Sequence, residues 1–353
     1  MKYGKIRIEN GNLIFAKQLR VNSLPCSDIL WAYLRREGRE DEEISGTQKR
    51  LPVNYLVVVT RWHKRYQFDM SEKEIRECLR LLRVLNPEMA VGYPKGARIS
   101  QKSLPNTRDL GALMADDGRH IIPRKLLRSG NLYHISLFDQ DTLTEGYHLS
   151  TVVDFRTTSE RNAMPDVELP DVAYHHLPIL DDEKKGMVSY NVLDVLTKYR
   201  GNMEDLMIRQ YQGMVKDPVS VNNFANFLDL VLHQEEGAIL WHCTLGKDRA
   251  GVATAFLLCA LGFSPKMVKE DYLRSNPYME AELECIVRQV ENRTIVDRQI
   301  MNNINSIIRV QEKYLAALFE MIDKTYGGVD RFMRRGLCVT QKNMEVLREK
   351  YLI

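Results

Sequence analysis

Alternating apolar positions open the chain. In KIRIENGNLIFA (residues 5–16) they flank Asn10-Gly11-Asn12, a pattern that predicts a hairpin. YLVVVT (residues 55–60), followed by RWHKRYQFDM (residues 61–70), predicts a second strand pair, and the intervening RREGREDEEISGTQKR (residues 35–50) predicts a charged loop. From Ser71 the period lengthens from two to between three and four. Ile75, Cys78, Leu79, Leu82 and Leu85 share one face of a helix, with Ser71 as N-cap, Glu74 at N3 and Asn86-Pro87 as its stop. Several strands closed by one amphipathic helix make a small domain over residues 1–92. The Gly-, Pro- and Ser-containing stretch that follows predicts a linker at 93–105.

From Asn106 the pattern changes again. TVVDFR (residues 151–156) and AILWHC (residues 238–243) are short, nearly continuous apolar runs, as expected of strands buried on both faces of a parallel sheet. Helical periodicity at 219–233 precedes the second strand, and at 251–261 it follows. This alternation predicts an α/β layer fold over 106–353. The last ninety residues read as mainly helical, with 300–321 the longest candidate and RFMRRGL (residues 331–337) a closing turn after a glycine pair.

Composition narrows the class. The 353 residues are 44% hydrophobic and 27% charged with a net charge of +3, so nothing global recommends nucleic acid as a partner, and any attraction to anions has to be local. Six cysteines are scattered without a CxxC pair, which fits a reducing compartment and a cytoplasmic address. His175-His176 has no metal-site spacing, and no metal or cofactor is expected.

The chemistry concentrates in HCTLGKDRAG (residues 242–251). The loop from Cys243 to Arg249 lies where a buried strand ends and a helix begins, so unpaired N–H groups and the positive end of the helix dipole converge there on any bound anion. The dipole, Lys247 and Arg249 each favour a thiolate at Cys243, which is a nucleophile at neutral pH. Five intervening residues suffice to ring one phosphate with backbone N–H groups from Thr244, Leu245, Gly246 and Lys247, and Gly246 permits a turn that a Cβ would obstruct. Arg249 can hold two phosphoryl oxygens and grip more tightly as charge accumulates. The GxxxxGK[ST] spacing of a nucleotide-binding loop is absent.

These residues resemble the HCxxGKDR signature of the bacterial tyrosine-phosphatase-like family that also contains atypical phosphoinositide phosphatases. NTRDLGALMADDGRHIIPRKLLRSGNL (residues 106–132) is similar to that family's opening NxRDLGG segment, TVVDFRTTSE (residues 151–160) to its VVDLRSxxE strand, and DYLRSN (residues 271–276) to a helix beyond the site. The resemblance implies a cysteine-dependent phosphatase in which Cys243 attacks phosphorus, Arg249 binds phosphoryl oxygens and Asp248 protonates the leaving oxygen. Two alternatives for Asp248 stay open: a structural carboxylate paired with Lys247 or Arg249, or an acid supplied by Asp181 or Asp182. Phosphotyrosine is the first expected substrate. Lys247, a second cation beside the loop, keeps phosphoinositides open, and a pseudophosphatase that only binds phosphate is the rival of another class. The first domain weakly resembles a pleckstrin-homology-like barrel in its order of elements, which implies a lipid or protein contact.

Two departures stand out. Ala250 replaces the hydroxyl residue that usually follows the arginine, and Thr244 is the candidate substitute; without such a hydroxyl the phosphoenzyme is expected to break down slowly. Ala112 replaces a turn glycine. Among smaller signals, His242 is expected to orient the loop, Arg108, Asp109 and Arg128 to tie the opening segment to the core, and Asp154 and Arg156 to form structural ion pairs. Cys259 reads as core packing, Trp31 and Trp62 as anchors of the first domain. Arg61, Lys64 and Arg65 remain candidates for a membrane contact.

Overall fold

The computed structural model describes all residues except 18–19, 38–52, 94–98, 100–102, 105, 181–195, 197–200 and 294. Two compact units divide the chain, Met1–Pro94 and Lys95–Ile353.

In the first unit, β1 (Lys2–Tyr3), β2 (Ile6–Glu9), β3 (Asn12–Lys17) and β4 (Arg20–Pro25) form an antiparallel meander. The β2–β3 turn works because Asn10 and Gly11 both take positive φ, at 50° and 72°, which matches the twist of a tight hairpin. A second sheet has the order β7-β6-β5-β8, from β5 (Ile29–Glu37), β6 (Val53–Thr60), β7 (Arg65–Asp69) and β8 (Ala90–Val91). Helix α1 (Glu72–Leu85) starts with the expected capping box between Ser71 and Glu74. Its Ile75, Cys78 and Leu82 share a core with Ile6, Leu13, Leu56 and Val58. Asn86 ends the helix and donates through Nδ2 to the carbonyls of Cys26 and Ile29.

The charged loop expected at 35–50 begins later than its composition suggests. Arg35 and Arg36 continue β5 opposite Tyr55 and Asn54, because strand pairing with β6 holds the backbone whatever the side chains carry; residues 38–50 lie outside those described. Trp31 is buried, whereas Trp62 at the β6–β7 turn is 61% exposed.

The second unit is built on a five-stranded sheet of order β12-β11-β13-β10-β9. These are β9 (Arg108–Asp109), β10 (Leu126–Ser129), β11 (Leu149–Asp154), β12 (Ala173–His176) and β13 (Ala238–His242), all parallel except β9. Central β13 is buried on both faces: Ile239 and Trp241 face the main core, Ala238 and Leu240 a second cluster. Ile99 and Leu104 are buried in that second cluster, so part of the expected linker packs into this unit.

Short helices α2 (Leu137–Asp141) and α3 (Thr158–Ala163) precede α4 (Met203–Lys216) and α5 (Pro218–His233). Next comes α6 (Arg249–Leu261), in which every side chain except that of Cys259 is buried. The rest is helical, as expected: α7 (Pro265–Leu273), α8 (Ser275–Tyr278), α9 (Glu280–Glu291), α10 (Arg298–Ile308), α11 (Glu312–Tyr326), α12 (Val329–Arg335) and α13 (Gln341–Tyr351).

Two local expectations fail for reasons of tertiary structure. The long helix at 300–321 is broken between α10 and α11, where Asn276 captures Val310: its Nδ2 donates to the Val310 carbonyl and its Oδ1 accepts from the Val310 N–H, each at 2.9 Å. The closing turn at 331–337 is mostly helix α12, which restarts after Gly327 and Gly328 leave α11 with φ of 77° and 119°. All six cysteines are free thiols. Among the described residues, no helix is long and apolar enough to cross a membrane.

Candidate active site

The loop from Cys243 to Asp248 runs from the carboxyl end of β13 to the first turn of α6. Asp248 stands at the N-cap without a side-chain capping bond, so the amino end of α6 is left to face the loop. Gly246 turns the chain with φ of 68°, and a Cβ there would meet the Ser129 carbonyl oxygen at 2.3 Å and the Gly130 nitrogen at 2.6 Å. Only glycine fits. Asn131 Nδ2 donates to the Thr244 carbonyl at 2.9 Å, Asn106 Nδ2 to that of Leu245 at 3.2 Å, and Arg128 Nη2 to that of Gly246 at 2.7 Å. These donors hold the carbonyls of three consecutive loop residues, Thr244, Leu245 and Gly246.

Cys243 is 2% exposed at the foot of the loop. Arg249 opens α6, and its guanidinium lies flat against Glu160, with Nη1 to Oε2 at 2.6 Å and Nη2 to Oε1 at 2.8 Å. Burial alone would raise the Glu160 carboxyl, but Arg249 outweighs it and holds the group at about 2. The Thr244 hydroxyl donates to Glu160 Oε1 at 2.5 Å and accepts from Arg249 Nη2 at 3.2 Å. The hydroxyl that was the candidate substitute at position 250 is therefore engaged with Glu160. Ala250 itself is fully buried, and its carbonyl accepts from Trp241 Nε1 and Thr254 Oγ1.

Asp248 is held on both carboxylate oxygens. Lys247 Nζ lies 2.6 Å from Oδ2, and the Tyr211 hydroxyl donates to Oδ1 at 2.7 Å. Lys247, the expected second cation, is 1% exposed, with its charge turned to its neighbour. Leu245 packs toward a helical cluster containing Met279, Val290 and Ile304. The competing acids Asp181 and Asp182 lie outside the described residues.

Beneath the loop, charged side chains are buried in two groups. Arg108 and Arg128 both reach Asp271, at 3.1 and 3.2 Å, with all three side chains 0–2% exposed. Two cations on one anion leave an unbalanced positive charge under the loop. Burial and the neighbouring Arg108 depress the Arg128 guanidinium to about 9. On the other side, Arg156 Nη2 lies 2.8 Å from both Asp154 and Asp166, and His242 Nε2 lies 3.0 Å from Asp166. Burial opposes a charged His242, yet Asp154 and Asp166 outweigh it and raise its pKa. Asp154, Asp166 and His242 gather potential metal ligands within 4.8 Å, but the Arg156 guanidinium already answers the two carboxylates. His242 Nδ1 also approaches the Cys243 carbonyl at 3.4 Å. His175 and His176 line a neighbouring cavity of about 390 Å³ with Asp154, Asp166 and Arg161.

Cys243, Thr244, Leu245, Gly246, Lys247, Asp248 and Arg249 thus occupy one strand-to-helix turn. Arg108, Arg128, Asp154 and Arg156 are structural ion pairs, and Asp109 accepts from the N–H groups of Gly111 and Arg124. Cys259 packs against the main core, and burial pushes its thiol up to about 12. Ala112, where a glycine was expected, has φ of 61° and is 1% exposed, a left-handed conformation that strains any residue with a Cβ.

Tyr211 went unread in the sequence, and Glu160 and Asp271 were read only as ends of the resembling segments 151–160 and 271–276, with no role given to either. For Glu160 a signal existed, since Thr157 and Glu160 form the capping box of α3 and so fix the carboxylate at the start of a helix. Nothing local marks Tyr211.

Residues 99–353 match the tyrosine phosphatase family. Among curated relatives, a putative tyrosine-protein phosphatase of Cupriavidus necator is 29% identical over 257 residues, covering 71% of this chain and 86% of the relative. The triple specificity protein phosphatase PtpB of Mycobacterium tuberculosis is 31% identical over 253 residues, 65% of this chain and 90% of the relative. A tyrosine-protein phosphatase of Nostoc commune is 26% identical over 159 residues, 44% of this chain and 50% of the relative.

Proposed function

The chain belongs to the tyrosine phosphatase family, and from that premise we propose that Cys243 is its nucleophile, Arg249 its phosphoryl-binding cation and Asp248 its general acid. In the first step the Cys243 sulfur attacks phosphorus, the S–P bond forms as the P–O bond to the leaving group breaks, and Asp248 gives its proton to the departing oxygen. In the second, water attacks the cysteinyl-phosphate and passes a proton to the Asp248 carboxylate. The S–P bond then breaks, returning the thiolate and inorganic phosphate.

One observation carries this reading: Glu160 fixes the Arg249 guanidinium at the uncapped amino end of α6, at the close of the Cys243–Arg249 loop whose turn at Gly246 admits only glycine. A fixed cation and fixed N–H dipoles need no reorganisation when negative charge builds on the phosphoryl oxygens. Asp248 is favoured over Asp181 and Asp182 as the acid because it sits within the loop, and a residue from another helix, Tyr211, grips its carboxylate.

A phosphotyrosyl protein is the favoured substrate. Lys247, which would recognise additional ring phosphates, is turned to Asp248, and this weighs against a phosphoinositide. For the first unit, the β1–β4 meander, then the antiparallel β5–β6–β7 meander and helix α1, support a pleckstrin-homology-like fold, to which β8 adds a short strand after the helix, parallel to β5.

Release of inorganic phosphate from a phosphotyrosine peptide, a phosphoserine peptide and phosphoinositide vesicles, by the wild type and by Cys243→Ser, tests the reading. Fastest release from phosphotyrosine, lost in the variant, is the expected result. Wild-type turnover by Cys243→Ser would reject the nucleophile. Faster release from phosphoinositide would overturn the substrate class, and retained phosphopeptide binding without turnover by the wild type would make the loop a binding module.

A further inference from the structure

We infer that Tyr211, backed by Tyr272, is a positioning residue that aims the Asp248 carboxyl at the leaving group; the inference rests on Asp248 being the acid. Tyr211 lies in α4, is fully buried, and donates its one hydroxyl proton to Asp248 Oδ1 at 2.7 Å. Tyr272, from α7 and 1% exposed, donates in turn to the Tyr211 oxygen at 2.8 Å. The relay therefore has a direction, from Tyr272 through Tyr211 to Asp248.

Packing leaves the relay little freedom. The rings of Tyr211 and Tyr272 meet edge to face with centroids 6.2 Å apart, and Tyr314 lies 5.6 Å from Tyr211 on another side. Tyr272 is pressed against the first turn of α6, where a Cβ on Gly251 would lie 3.2 Å from its Cδ2. Burial first, then the charge of Asp248, raises both phenols well above their ordinary value, so both hydroxyls keep the protons that the relay needs.

The consequence for chemistry concerns which oxygen works. Tyr211 spends its single proton on Oδ1, and its oxygen already accepts from Tyr272, so a proton carried by Asp248 sits on Oδ2, and Lys247 Nζ, which donates to Oδ2 of the ionised carboxylate at 2.6 Å, gives up that bond when Asp248 is the acid. An aspartate can otherwise rotate about its last torsion and present either oxygen. Fixing one oxygen from a helix outside the loop converts a mobile acid into an aimed one, an orientational contribution to rate that the phosphate loop alone does not supply.

The test compares turnover of phenyl phosphate, a poor leaving group that needs protonation, with that of p-nitrophenyl phosphate, a good one that needs little. Wild type, Tyr211→Phe, Asp248→Asn and the double variant are assayed, each checked for an unchanged near-ultraviolet circular dichroism spectrum. Asp248→Asn is expected to lower kcat/KM for phenyl phosphate by about 100-fold or more and for p-nitrophenyl phosphate much less. Tyr211→Phe is expected to lower kcat/KM, which reports formation of the phosphoenzyme whatever the rate of its breakdown, by about tenfold for phenyl phosphate and by about twofold for p-nitrophenyl phosphate. The double variant is expected to match Asp248→Asn alone, because both changes act through one group.

Equal slowing of both substrates by Tyr211→Phe, or full additivity in the double variant, would reduce Tyr211 to a structural residue while leaving Asp248 as the acid. If Asp248→Asn shows no dependence on the leaving group, the acid assignment itself falls, and the inference with it. Should Tyr211→Phe not fold, Tyr272→Phe carries the test: a smaller loss, about threefold, confined to phenyl phosphate supports the relay, and a loss shared by both substrates overturns it.

Discussion

The two units bury different things. In the first, the buried side chains are apolar apart from Thr60 and Asn86, and among the described residues no charged side chain is buried there. In the second, Arg108, Arg128, Arg156, Arg249, Lys247, Asp109, Asp154, Glu160, Asp271 and His242 are all buried. Apolar burial favours folding at about 25 cal/mol per Å², whereas each buried ion costs several kcal/mol before its partner repays it. A fold gains nothing from such charges by themselves, so their concentration at the carboxyl ends of the strands marks where the second unit is organised for a ligand rather than for stability.

The strongest way to sharpen this contrast is to unbalance the charge. Asp271→Asn leaves Arg108 and Arg128 without their shared carboxylate, and we expect a stability loss of about 3–5 kcal/mol, read by urea denaturation. A loss under about 1 kcal/mol would show that the two guanidiniums find other acceptors and do not depend on the Asp271 carboxylate.

The matching change in the first unit is apolar. Leu82→Ala opens a cavity in the core shared by α1 and the two sheets, with an expected cost of about 2–5 kcal/mol. Its kcat for an aryl phosphate should stay at the wild-type value, since every candidate group lies in the second unit. A fall in kcat at temperatures where the variant remains folded would break the comparison.

Glu160→Gln comes next. Neutralising the partner of Arg249 is expected to lower kcat/KM by about 100-fold, because the guanidinium loses the anchor that aims it. The same residue has a signature in acid. Its carboxyl is displaced from an ordinary 4.5 to about 2, so the ionised form is the one the fold favours. That contribution is complete above about pH 4.5 and is lost as the pH falls toward about 2. Thermal melts of the wild type across this window should therefore decline more steeply than those of Glu160→Gln; parallel declines would show that Glu160 is not what the acid titrates.

The smallest effect is expected at Ala250. Its full burial leaves room for Ser more readily than for Thr, and Ala250→Ser should speed breakdown of the phosphoenzyme by about tenfold at most. Rapid-quench measurement of the cysteinyl-phosphate would register this as a lower steady-state level, and an unchanged level would show that the missing hydroxyl has no kinetic role.

Much of this was legible in the chain itself. Periods of two and of three to four placed the β2–β3 hairpin, β6 and β7, helix α1 with its Ser71–Glu74 cap, and the β13–loop–α6 turn, because each depends on neighbours within a few positions. The spacing of Cys243, Gly246 and Arg249 announced a phosphate loop for the same reason: seven consecutive residues carry their geometry with them. Local pattern failed where a distant group took over the backbone, as when β6 extended β5 into charged residues or Asn276 broke the helix at Val310.

Tertiary structure alone decided who holds the chemistry. Glu160 meets Arg249 across 89 positions of sequence, Tyr211 meets Asp248 across 37, and Asp271 joins Arg108 to Arg128 across 163 and 143. No periodicity encodes such pairs, because an ion pair or a buried hydroxyl depends on which elements the sheet brings to one end, not on what precedes it in the chain. The sequence by itself determined that a thiol and an arginine share a turn above a helix amino end; the fold determined that the arginine is anchored, that Lys247 faces Asp248, and that the proposed acid is gripped from another helix.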